Sequence, residues 1–486
     1  MRWGLAVLLV LALWGTHLPA LETLPLHNDE GLHLRRAVEV WNGHPFWDIS
    51  DGKIINHWPI ALFYPQHAPV FVGRVATVLV SMIGLAGGYA LACRVGGLWA
   101  GLLAGALWLA SPYLFFYERM ALSDAQAGAL VVLALYGALL AAQTGRYRVL
   151  TGLTFGAAAL FKFTAAPYAL AIAVVILSIS RFSFRQRVTN LLIVGVVAAL
   201  CFVPPLAYLA LRGGDFFGIA LGWIGGSSGG SPAFADNLAR LWSVLTGFGT
   251  LSWLFLLLVG LLLLFVLGRR NGRLLLVASL IPFLVTTILG REVLPRHYVA
   301  ALPLALVLAG LGLGLLHRWL NEVRERAVLA GLSMALLFFS IIPFIAAAYH
   351  DPAGLQLPDA VRTQYVTDHS AGYGLREAMQ ALPQLVEPEA SLIASMFPDS
   401  CRRANFYAVG AYRLRCVNAP GLPEIEQTLN QHGVVYLLVD NAPLIGVDVA
   451  TLPAQAQQIA AFPRPGESLE DASVVLWRLS ASGAVR

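Results

Sequence analysis

Charge is scarce in this 486-residue chain: 12% of residues are Asp, Glu, Lys or Arg and 58% are hydrophobic, against ~25% charged and ~45–50% apolar in soluble domains. Lysine is almost missing, since Lys53 and Lys162 are the only two in a chain that otherwise uses Arg for every basic task. The four cysteines form no CxxC pair, which removes the common zinc and thioredoxin-type signatures. The glycine strings GLAGGYA, RVGGLWAGLLAG and AGLGLGLL lack the flanking strand, the Gly-Lys-Ser/Thr ending and the downstream acid of nucleotide-binding loops. Inside apolar runs they read as small-residue faces that let helices approach closely. No repeat of fixed period and no pair of broken helices of the transporter type is evident. The net charge of +5 is spread between apolar stretches, with no basic, aromatic-interleaved groove for nucleic acid.

What the chain has is apolar length. Mean hydropathy is +0.70, and repeated apolar runs of ~17–24 residues are long enough to cross a hydrocarbon core of ~30 Å as helices. Spans are predicted at residues 3–21, 70–93, 97–114, 125–143, 149–162, 165–180, 189–211, 251–268, 274–290, 298–316 and 327–348, about 11 transmembrane helices in all. With the amino terminus inside, Arg94, Arg146, Arg148, Arg181, Arg185, Arg187, Arg269, Arg270, Arg273, Arg318, Arg324 and Arg326 fall on cytoplasmic loops. Asp29, Glu30, Glu39, Asp48, Asp51, Glu118, Asp124, Asp215 and Asp236 fall outside, so the positive-inside rule holds at every crossing. The first span also has the look of a secretory signal peptide; retained or cleaved, it leaves the loop after it outside. The class is a polytopic α-helical protein of the plasma (inner) membrane.

Composition divides the chain into a membrane domain at residues 1–348, with external loops at 22–69 and 212–250, and an external soluble α/β domain at 349–486. After Asp29, the positions Leu34, Ala37, Val38 and Trp41 fall at i, i+3, i+4 and i+7, the pattern of an interfacial amphipathic helix. WIGGSSGGSPAF reads as a loop, either lid or connector. In the tail, GLREAMQALPQL and PEIEQTLNQHG read as amphipathic helices and SLIASMF, VVYLLVD and SVVLWRL as buried strands. Cys93 and Cys201 pack as small hydrophobes. Cys401 and Cys416 lie where oxidation is permitted, and spacing leaves open whether they pair.

An ionisable group in or near the apolar slab costs ~2.5–3.5 kcal/mol on insertion scales and calls for a reason. Asp29 and Glu30, then Glu118, Arg119 and Asp124, then Lys162, then Arg296, His297 and Tyr298 all map to the outer leaflet. Blander roles exist: Lys162 could snorkel, Asp29 could cap a helix, and Glu118, Arg119 and Asp124 could form a structural ion-pair network. His27, His33, His44, His57 and His67 crowd the first loop and could hold a divalent metal, although their spacings match no ligand signature. The external space has no nucleotide-sugar supply, so glycosyl transfer there draws on sugars carried by a polyprenyl phosphate. Cations would hold the phosphate, a carboxylate would take the proton of the acceptor hydroxyl, and in-line attack would invert the anomeric centre.

At these residues the chain resembles a known family. HNDEG after the first span is similar to the Asp-Glu motif in the first external loop of the GT-C membrane glycosyltransferases, of the protein O-mannosyltransferase and aminoarabinose (lipid A) transferase group, glycosyltransferase family 39-like. ERMALSD, LFKFTAAP and RHYVAALPLALVLAG continue the resemblance in order over residues 1–350, with Phe-Thr after the lysine where many relatives have Gly-Pro. The resemblance implies a GT-C-like fold and an inverting glycosyltransferase. It makes Asp29 the catalytic base, lets Glu30 and Asp124 shape the sugar and acceptor site, and puts Lys162 and Arg296 on the donor phosphate. Arg119 is grouped with the phosphate contacts, and Glu118, His297 and Tyr298 with substrate. The partners implied are a polyprenyl-phosphate-linked sugar, membrane lipid, and a protein, glycolipid or cell-envelope polymer as acceptor. A flippase for a lipid-linked saccharide and a non-catalytic membrane subunit that docks a partner are the competing readings. A flippase should place ionisable groups along a two-sided path near the midplane, whereas here they gather at one face.

Overall fold

The computed structural model describes residues 2–44, 52–215, 218–219, 234–248, 251–289, 294–320, 322–408, 410–417, 422–441, 449 and 454–481. The Gly/Ser string at residues 223–233, and with it the lid-or-connector question, lies outside them. The chain divides into two compact units, one of Met1–Leu21 with Arg36–Pro358 and one of Glu22–Arg35 with Asp359–Arg486. The second unit therefore takes in a stretch of the first loop as well as the tail.

The first unit is helical. Pro69–Gly96, Ser123–Thr144, Phe184–Leu211, Leu302–Trp319 and Val323–His350 are long and apolar enough to cross a membrane, and the pair Leu98–Leu109 and Pro112–Glu118, bent by 64°, brings the number to 6 if taken as one span. Among the described residues four further apolar helices are shorter, Trp3–His17, Arg148–Phe161, Phe163–Ser178 and Leu251–Leu267, and the expected eleven spans are neither reached nor excluded by length and composition alone. The breaks have local causes. Ser111 accepts a bond from Leu114 N at 3.3 Å and Pro112 follows it, so a new helix starts there. Lys162 is extended, with φ −159° and ψ 129°, and ends the Arg148–Phe161 helix.

Glycine carries the helix packing. A Cβ on Gly84 would lie 2.4 Å from Ala129 Cβ, one on Gly310 would lie 2.4 Å from Ala104 N, and one on Gly312 would lie 1.8 Å from Gly260 O. The last contact is backbone against backbone, where the Leu251–Leu267 and Leu302–Trp319 helices cross, and no side-chain movement can relieve it. Gly312→Val is expected to cost about 1–3 kcal/mol of stability, as overpacking does, read as a lower melting temperature in detergent. Gly195→Ala is the control: nothing lies within 4 Å of its Cβ position, and removing a helical glycine should leave stability unchanged or slightly raised.

The second unit is built on a five-stranded sheet of order β2-β1-β3-β5-β4. Its strands are β1 (Ser391–Ser395), β2 (Arg415–Val417), β3 (Val434–Asp440), β4 (Ala454–Phe462) and β5 (Val474–Ala481). β1 is parallel to both β2 and β3, while β5 is antiparallel to β3 and β4. Alternation along β1 and β3 sends Leu392, Ala394, Tyr436 and Leu438 to one face, against Leu375, Ala378, Met379 and Leu382 of the helix Leu375–Leu385. Ile393, Val435, Leu437 and Val439 face the other way, toward Ile425 and Leu429. Cys401 and Cys416 are joined in a disulfide with Cα atoms 5.7 Å apart, tying the helix Pro398–Ala404 to β2.

Candidate functional site

In the first unit, backbone bonds from Ile54 N to Leu160 O at 2.8 Å and from Phe163 N to Gly52 O at 3.2 Å lace the 52–55 turn to the end of the Arg148–Phe161 helix. The lacing brings together the two lysines of the chain, Lys53 and Lys162. Lys162 Nζ bonds to Asp124 Oδ1, and both side chains are buried. Asp124 sits in the first turn of the helix Ser123–Thr144, where the helix dipole favours a carboxylate. Lys53 and Arg296 both lie near enough to repel Lys162 electrostatically. Lys162 is thus paired with one carboxylate, Asp124, and has two further cations within electrostatic range.

Arg296 belongs to the turn Pro295–Tyr298, which is fixed by a bond from Tyr113 Oη to Pro295 O. Tyr298 is buried against Phe283 at 5.2 Å between ring centroids and donates to Asn237 O at 3.3 Å. His297 Nδ1 accepts from Leu294 N at 3.3 Å. Thr164 and Tyr168, from the turn after Lys162, line a small cavity with His297 and Tyr298. The Lys162 turn and the Pro295–Tyr298 turn therefore form one neighbourhood.

Two expected residues are placed otherwise. Glu118, expected at substrate, is buried with both oxygens engaged: Trp108 Nε1 donates at 2.8 Å and His17 Nε2 lies at 3.1 Å. Arg119, expected at the donor phosphate, donates to Pro19 O at 2.7 Å and Ala20 O at 2.6 Å, with its guanidinium over the rings of Phe115 and Tyr349. Their work is to hold the first helix against its neighbours. Lys53 is the site residue that sequence reasoning passed over, although its rarity in the chain was a usable signal.

Asp29 and Glu30 belong to the second unit. Their helix, Asn28–Trp41, begins one residue before Asp29, so Asp29 lies in the first turn and is not the N-cap. The capping bond comes from Glu30, whose Oε2 accepts from His27 N at 2.9 Å, the return half of a capping box. Glu30 is fully buried, whereas Asp29 is half-buried. Leu34 and Ala37 of the apolar stripe are buried, but Trp41 of the same stripe is exposed, and Arg36, outside it, is buried and donates to Lys53 O at 3.4 Å. His27 lies against the ring of Tyr365 at 4.5 Å. Among the described residues no three His, Cys, Asp or Glu side chains converge as a metal site.

A sequence model of the dolichyl-phosphate-mannose-protein mannosyltransferase family matches residues 54–208. Two crystal structures of ArnT from Cupriavidus metallidurans, one bound to undecaprenyl phosphate and one in the apo state, align with TM-scores of 0.64 and 0.65 at 16% and 17% identity, each over 98% of this chain and 98% of theirs. This chain has the GT-C fold of the mannosyltransferase and ArnT type. A further GT-C relative by fold is a crystal structure of the Archaeoglobus fulgidus oligosaccharyltransferase in complex with Zn and sulfate, with a TM-score of 0.50 and 15% identity over 90% of this chain and 68% of that one. No curated protein sequence matches. The stretch of the chain that matches the family model contains Asp124 and Lys162 but neither Asp29 nor Arg296.

Proposed function

We propose that this GT-C protein is an inverting glycosyltransferase that moves a sugar from a polyprenyl-phosphate donor to an acceptor hydroxyl at the outer face of the plasma (inner) membrane, with residues 349–486 external. The observation that carries the reading is the buried Lys162–Asp124 pair, with Lys53 and Arg296 within electrostatic range of Lys162. An Arg-rich chain that spends both of its lysines at one buried place is equipped for a compact anion such as a phosphate. The distribution of Arg between loops supports the outward orientation.

In this mechanism the three cations bind the donor phosphate, and Asp124 orients Lys162 without competing for all of its donors, since an ammonium has three. The acceptor oxygen attacks the anomeric carbon from the face opposite the phosphate. Its proton passes to the Asp29 carboxylate, the new carbon–oxygen bond forms as the bond to the phosphate oxygen breaks, and polyprenyl phosphate leaves with the electron pair. The cations stabilise the charge that builds on that oxygen. Glu30 keeps the turn in shape through His27.

The protein in lipid nanodiscs, supplied with undecaprenyl-phosphate pentoses and hexoses and in turn with glycolipid, envelope polymer and protein acceptors, is expected to release undecaprenyl phosphate and form product of inverted anomeric configuration. Failure to consume any donor across that panel would overturn the reading.

A further inference from the structure

We infer that Arg403, a residue of the tail, is the positioning residue for the Asp29 turn. The inference rests on the proposed glycosyl transfer, with Asp29 as its base. Every contact involved lies within the second unit.

Arg403 is 1% exposed. Its guanidinium Nη1 donates to Leu26 O at 3.4 Å and also to Ser370 O, while Nη2 donates to His369 O at 2.9 Å and to Ser400 Oγ at 3.5 Å. Ser370 O accepts a second bond, at 3.0 Å, from Asn28 N, the first residue of the helix that carries Asp29. One planar fork thus grips the carbonyl just ahead of the helix and the carbonyl that receives the first helical N–H. Below it, Gly31 leaves room for the same side chain: a Cβ there would stand 3.0 Å from Arg403 Cβ. The rest of the 22–31 stretch is tied to the tail as well, with Leu26 N donating to Tyr407 Oη at 2.5 Å and Arg376 Nη1 to Thr23 O at 2.6 Å.

The charge on Arg403 is itself supported. Burial draws its pKa down to about 10, opposed chiefly by Asp440 at the end of β3, so it remains a cation at neutral pH. Asp440 is paired with the equally buried Arg464, and Glu30 acts on Arg403 from the side of the turn. A line of alternating charge therefore runs from the end of the sheet to the carboxylate pair. A lysine in the place of Arg403 would keep the charge but lose the fork, since only the planar guanidinium reaches several carbonyls in fixed directions.

The test compares Arg403→Lys, Arg403→Met and Arg402→Met, the last being a neighbour in an exposed pair with Asp399. Three quantities are read: kcat, KM for an undecaprenyl-phosphate sugar, and hydrogen exchange of residues 22–35 against that of β1 and β3. Misplacing a reacting group by about 1 Å costs ~10²-fold. On that scale kcat should fall by ~10²-fold in Arg403→Met and by ~10-fold in Arg403→Lys, with KM within about twofold of wild type. Exchange should rise at 22–35 while β1 and β3 stay protected, and Arg402→Met should match wild type throughout. Wild-type kcat in both Arg403 variants would overturn the inference. So would loss of protection across the sheet in both, which would make Arg403 a residue of the fold alone. If the wild-type chain transfers no sugar, the functional reading fails, and the exchange data still decide whether Arg403 holds the turn: a rise confined to 22–35 upholds it, and no rise refutes it.

Discussion

Asp29→Asn is expected to lower turnover by ~10²–10⁴-fold, the usual contribution of a positioned general base, while membrane insertion and donor affinity stay near wild type. Asparagine keeps the size and loses the charge and basicity. Glu30, not Asp29, makes the capping bond at this helix, and the lost attraction between a carboxylate and the helix dipole accounts for ~0.3–1 kcal/mol of the structural cost. The measurement is single-turnover sugar transfer beside a melting curve. Transfer at the wild-type rate would move the base to Glu30 or Asp124, the next carboxylates.

Lys162→Met should have the second large effect, and it needs a partner variant to be interpreted. Removing the ammonium leaves Asp124 buried with its counter-ion gone, which costs ~3–5 kcal/mol, so the single variant is expected to be poorly folded. Lys162→Met combined with Asp124→Asn removes the stranded charge and should restore much of the lost stability. Donor binding should not return, because a hydrogen bond to a charged group contributes ~1.5–3 kcal/mol, a loss of ~10–150-fold in affinity for undecaprenyl phosphate. A double variant that binds undecaprenyl phosphate as wild type does would reduce Lys162 to the counter-ion of Asp124.

The membrane class was legible because it rests on summed hydropathy, which needs no tertiary knowledge. The number of spans was not. Apolar runs look alike whether a helix crosses straight or bends by 64° at Ser111–Pro112, and the 149–180 region breaks at Lys162 into helices too short to count. In the tail, β1, β3 and β5 coincide with the short apolar runs, whereas β2 is three residues long and β4, AQAQQIAAF, is mostly Ala and Gln. At the site, Lys162 with Asp124 was readable as polar groups in apolar surroundings. Lys53 was hidden in a polar loop, and only the backbone lacing at Leu160 reveals its place. For Glu118 and Arg119 the sequence was less informative: charge at the edge of a span signals a partner without saying whether the partner is substrate or, as the bonds to His17, Trp108, Pro19 and Ala20 show here, a side chain or carbonyl of the chain itself.

Arg403 comes 377 residues after Leu26 in the chain. A ribosome that adds ~5–20 residues per second needs roughly 20–75 seconds to make that stretch. Throughout that interval the turn bearing Asp29 exists without the side chain that grips it, whereas Lys53, Asp124, Lys162 and Arg296 have all been made before residue 297. On the proposed mechanism the turn that carries the proton acceptor would be the last part of the machinery to be set, once the tail has folded. A chain stopped before residue 398 is expected to insert in the membrane and still bind undecaprenyl phosphate, with residues 22–35 open to protease. Full protection of that stretch in the shortened chain would show that the delay does not exist.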